Sequence, residues 1–74
     1  MNLYLISQNV NNGYDTYNSA VVCAENEPDA ASIHPGGTQP WGDTWADPER
    51  VKVKLIGTAI DIERGVVLAS FNAG

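Results

Sequence analysis

Residues 9–22 read N-V-N-N-G-Y-D-T-Y-N-S-A-V-V, and their reading decides the fold. The first half is polar and centred on Asn12-Gly13; the second half turns apolar at Ala20. Asn-Gly is the strongest short-range hairpin signal, because both central residues of the tight turn need positive φ. The apolar segments on either side are therefore expected to be two antiparallel strands, over 3–8 and 19–24. The intervening segment, 9–18, is longer than the usual two to five residues, and long loops are where function concentrates. Alternatively the strands run into it, since Tyr14, Thr16 and Tyr17 suit a strand, and the turn is only 11–13.

Working outward, Leu3 and Leu5 point to one face of the first strand and Tyr4 and Ile6 to the other. Such a strand is expected to be covered on both sides or to lie inside a dimer. After residue 24, Asn26 is a good N-cap, Pro28 suits the first helical turn, and Glu27 and Asp29 favour the positive end of a helix. Pro35 stops it. A helix over 27–34 follows, too short to be stable alone and held by Ala30 and Ile33 against the sheet. His34 would end that helix, where a cation suits the dipole. Residues 35–49 are rich in breakers and carry Trp41 and Trp45. These indoles either close one edge of a thin core or form a partner-binding patch.

Val51, Val53 and Leu55 alternate with Lys52 and Lys54, which predicts a strand over 51–59 with one buried and one solvated face. Gly57 marks a bend or bulge. The last strand, 66–71, would place Val66 and Leu68 on one face and Val67, Ala69 and Phe71 on the other. The order is ββαββ in a single domain, 1–74. The fold class is α+β: a four-stranded antiparallel sheet with one short helix on one face. The first and last strands are expected as neighbours in the middle.

Composition narrows the function. The chain has 74 residues and a net charge of −5. Asp15, Glu25, Glu27, Asp29, Asp43, Asp47 and Glu49 all precede the first basic residue, Arg50; the other cations are Lys52, Lys54 and Arg64. Such a balance does not neutralise phosphates, so direct nucleic-acid binding is not expected. The single cysteine, Cys23, excludes an internal disulfide and suits a reducing compartment. The opening MNLYLISQ has no basic n-region and no long apolar run, so a cytoplasmic protein without membrane association is expected. A chain of this length has a thin core and often needs a staple, which favours a homodimer.

Catalytic and metal signatures are weak. Cys23 sits mid-strand, where thiols are usually inert, and no spacing ties it to His34, the one histidine. There is no phosphate-binding glycine loop, and no Cys/His cluster for a structural zinc. Aligning Gly13 with the sixth position of a calcium loop leaves the first, third and twelfth positions without carboxylates. No cofactor or metal is expected. A carboxylate pair, Asp15 with Asp43 or Asp47, would have to be assembled by the fold for acid–base chemistry.

From Tyr14 to Pro35 the chain reads YDTYNSAVVCAENEPDAASIHP. It resembles a group of short proteins of bacterial and tailed-phage genomes. The shared features are YDTY-x-SAVV, the A-E-x-E start of the helix, and I-H-P. The similarity continues into GVVLASFNAG, residues 65–74, and residues 35–49 are the most individual part. The resemblance implies a phage-linked source and no particular mechanism. With that source, an acidic chain is expected to bind and inhibit a basic host protein, such as a defence complex. The candidate binding residues are Asn11, Asn12, Tyr14, Asp15, Tyr17, Trp41, Asp43, Trp45 and Asp47. The alternative is a small-ligand binder, with Asn11, Asn12, Tyr14, Asp15 and Tyr17, joined by His34 and a tryptophan of the 35–49 loop, lining a pocket for a nucleotide- or sugar-like molecule at a dimer interface. A third reading, a weak hydrolase, hangs on Asp15.

Overall fold

The computed structural model describes residues 1–10, 13, 16–36, 45–60 and 62–72. The elements are β1 (Asn2–Ser7), β2 (Thr16–Ala24), α1 (Glu27–Ala31), a 3-10 turn (Pro48–Arg50), β3 (Lys52–Thr58) and β4 (Gly65–Asn72). The fold is the expected α+β domain, a four-stranded antiparallel sheet with one short helix.

Strand order is β3-β1-β2-β4. This corrects the expectation that the first and last strands are central neighbours. The hairpin strands β1 and β2 occupy the middle, and β4 lies at the edge beside β2. The two middle strands are apolar on both faces, whereas Lys52 and Lys54 make β3 suited to an edge. Strand β2 begins at Thr16 and so runs into the long connection, whereas β1 ends at Ser7 before reaching it.

Cross-strand pairing sorts the side chains into two faces. On the helical face, one row runs Val53–Ile6–Ala20–Ala69 and the next Leu55–Tyr4–Val22–Val66. Ile6, Val22, Ala24 and Ala30 are fully buried there, with Ile33 and Trp45 closing over them. Each large aliphatic side chain so buried contributes about 1.5–3 kcal/mol. On the opposite face the rows are Lys52–Ser7–Ser19–Ser70, Lys54–Leu5–Val21–Leu68 and Gly57–Leu3–Cys23–Gly65.

The face assignment of the last strand also needs correction. The register shifts between Val21 and Val22, so Val67 has no direct partner on β2. Val66 therefore joins Ala69 on the helical face, and Leu68 points to the open one. One extra residue reverses the alternation, as a bulge must.

The helix is shorter than expected, ending at Ala31 with Ser32 as its C-cap. Its start follows local chemistry. Asn26 Oδ1 accepts from the Asp29 backbone N–H at 2.9 Å, and Asp29 Oδ2 accepts from the Glu25 N–H at 3.1 Å. From the β3–β4 connection, Arg64 donates to Asp29 Oδ1 at 2.8 Å and to Ser32 Oγ at 3.2 Å. The connection crosses the sheet end near the start of β1, where the Ala59 N–H donates to the Met1 carbonyl. No helix among the described residues is long and apolar enough to cross a membrane.

Candidate functional site

The far end of the sheet holds Tyr17, one of the described candidates. Ser7 pairs with Lys52, and Ser7 with Ser19, so the 9–15 connection and the 3-10 turn before β3 leave from the same end. Gln8 organises this corner. It is buried, its Nε2 donates to the Tyr17 carbonyl at 2.8 Å, and its Oε1 accepts from the Val10 N–H at 2.8 Å. The start of β2 is thereby held by an amide that satisfies its own donor and acceptor, as a buried polar group must. Thr16, also buried, donates from Oγ1 to the Gly13 carbonyl at 2.7 Å.

Tyr17 stands between two aromatic rings. Phe71, its cross-strand partner, lies at a centroid distance of 4.8 Å, and His34 meets it edge-on at 6.1 Å. Such pairs add about 0.5–1.5 kcal/mol beyond their buried area. His34 lies beyond the end of α1 and not within it. Its Nδ1 accepts from the Gly36 N–H at 2.9 Å, which assigns the imidazole proton to Nε2. Burial pushes the His34 pKa below its ordinary 6.5, so the ring is neutral at pH 7. A Cβ on Gly36 would stand 3.1 Å from His34 Nδ1 and 3.4 Å from the Tyr17 hydroxyl. The close approach of these three residues therefore depends on a glycine.

The other described candidates part company. Trp45 is only 8% exposed and belongs to the core, which matches the reading in which an indole closes the core. Its ring is not displayed to a partner. Asp47 is exposed and precedes the 3-10 turn. Asn11, Asn12, Tyr14, Asp15, Trp41 and Asp43 lie outside the described residues. His34 entered the sequence candidates only through the small-ligand alternative, and Gly36 and Phe71 were not among them. The I-H-P motif put His34 on view, but nothing local pairs it with a residue seventeen positions earlier. Gln8 was read only as the end of a strand.

Charge is segregated. Glu25, Glu27, Asp29, Asp47 and Glu49 flank α1 and the 3-10 turn, which pack together on the helical side. The Glu25 N–H and the Arg64 guanidinium hold the Asp29 carboxyl below its ordinary 3.8. Lys52 and Lys54 share the opposite face with Ser7 and Leu5.

Among the described residues no group of three His, Cys, Asp or Glu is arranged to hold a metal ion. Cys23 and His34 do not form a nucleophile–base pair. Cys23 is six residues along β2 from Tyr17, about 20 Å at strand rise, and on the opposite face. Its Sγ is buried against Met1 Sδ and the Ile62 carbonyl, each at 3.6 Å.

In comparisons with protein-family models, curated proteins and solved structures, nothing matches this chain.

Proposed function

We propose that this chain is a small non-enzymatic modulator of phage or prophage source that docks its acidic helical side on a basic surface of a host protein. The observation that carries the reading is the excess of exposed acids on the helical side. Glu25, Glu27, Asp47 and Glu49 are exposed on the helical side, with Arg50 and Arg64 as the described cations beside them, while both lysines face away. An acidic surface steers the chain toward a basic partner and speeds association. Tyr17 and Phe71 supply an aromatic border at the end of the same layer. The test is capture of partners from a bacterial lysate by tagged protein at low and high salt, with Glu25→Lys/Glu27→Lys as the comparison. A stoichiometric partner that is lost at high salt and lost with the double variant supports the reading. A partner indifferent to both removes it.

A second reading is favoured by the Tyr17–His34–Phe71 cluster: a small-ligand binder that offers ring faces for stacking. Thermal-shift screening with nucleotides and metabolites tests it, and a flat response across the panel ends it.

A further inference from the structure

The face of the sheet opposite the helix has the anatomy of an interface. An antiparallel sheet that faces water on one side normally alternates polar residues there. Here the middle row is Leu5, Val21 and Leu68, with Leu3 in the next row and Met1 and Ile62 beside it. Leu68 is 69% exposed, and Leu3, Leu5 and Val21 are partly buried. A shallow depression of about 250 Å³ opens along Leu5, Val21 and Leu68. The border is polar: Ser7, Ser19 and Ser70 at one end, with Lys52 and Lys54 along β3. An apolar centre inside a polar rim is how protein interfaces are built.

We propose that a second copy of this chain covers this face, giving a face-to-face homodimer. Three features point to a copy. First, among the described residues the face carries no acid, so the net charge of −5 does not oppose association there.

Second, the face is self-complementary under one of the two-fold axes that would stack two sheets. An axis parallel to the strands lays the order β3-β1-β2-β4 over β4-β2-β1-β3 of the second copy. Leu5 then faces Val21, and the aliphatic stem of Lys54 covers Leu68 while its ammonium reaches water. The serine rows meet each other. An axis across the strands would instead set Lys54 against Lys54, which like charge disfavours. Stacked sheets pack about 10 Å apart with strands aligned to about 30°.

Third, the face is large enough to supply much of a stable interface. Four strands spaced about 4.8 Å apart and roughly 20–30 Å long present about 450 Å² in projection. That is over half of the ~800 Å² of accessible surface per partner in a stable interface, before side-chain corrugation is added.

The test is sedimentation velocity of the full chain over a concentration series into the high-micromolar range. The expected species has twice the 7.9 kDa chain mass. Leu68→Lys, at an exposed position, sets a like charge against Lys54 of the second copy and should halve the sedimenting mass while circular dichroism stays unchanged. Leu55→Glu, 58% exposed on the helical face at the β3 edge, should leave the dimer in place. A single-chain mass for the parent protein overturns the proposal. So does a dimer that survives Leu68→Lys, or one that Leu55→Glu breaks equally well, since either would put the contact elsewhere.

Discussion

The imidazole of His34 accepts the Gly36 N–H at 2.9 Å and presents its edge to Tyr17, joining the chain after the helix to the start of β2. This contact closes one end of the helical layer. Because burial lowers the His34 pKa in the fold, the unfolded chain binds the proton more readily. Its contribution to stability is complete above pH 6.5 and is lost as pH falls through the lower folded value. Nuclear magnetic resonance titration should place the His34 midpoint below 6.5. The stability-against-pH curve should lose that segment of its slope in His34→Gln.

Asp29 adds a second segment with the same sign. Its folded pKa lies below 3.8, so its stabilisation is present above that value and disappears as pH drops through the folded one. Asp29→Asn should flatten acid unfolding below about pH 4. Because the Arg64 contact is exposed, raising the salt concentration should reproduce only part of that change.

Asn26 is the cap that starts the helix, and Asn26→Ala should destabilise the protein by about 1 kcal/mol. Urea unfolding would show the shift as a lower midpoint at constant slope. No change in midpoint would mean that α1 is held by Ala30 and Ile33 alone.

Gly65 opens β4 at φ 140°, a conformation that side chains rarely adopt, although a methyl added there would find nothing within 4 Å. Gly65→Ala should therefore cost about 1–3 kcal/mol through backbone strain. At Gly57 a methyl would meet only Leu3 Cδ1, at an ordinary 3.9 Å, and Gly57→Ala should cost less. Equal midpoints for the two variants would refute the conformational argument.

Trp45 is buried in the core cluster with Ile6, Val22 and Ile33, and Trp45→Ala should cost about 3–5 kcal/mol. A domain of this size is stable by roughly 4–11 kcal/mol on a per-residue basis. The variant is thus expected near its unfolding threshold, seen as a broadened or absent thermal transition.

Residues 9–22 and their flanks were legible because their signals are local. Asn12-Gly13 between apolar runs implies a hairpin whatever surrounds it, and Asn26, Pro28 and Asp29 mark a helix start within four residues. Period-two alternation placed Val53 inward and Lys52 and Lys54 outward. Those elements and the charge imbalance were determined by the sequence itself, since propensity, capping and alternation act between near neighbours. Strand order, the bulge at Val67 that turns Leu68 to the open face, and the meeting of Tyr17 with His34 and Phe71 were decided only by tertiary structure. They depend on which apolar faces bury each other across long separations, and many registers satisfy the same local pattern. The helix stops at Ala31 with Ser32 as its C-cap, whose hydroxyl donates to the Asp29 carbonyl, and Ile33 beyond it is buried in the core.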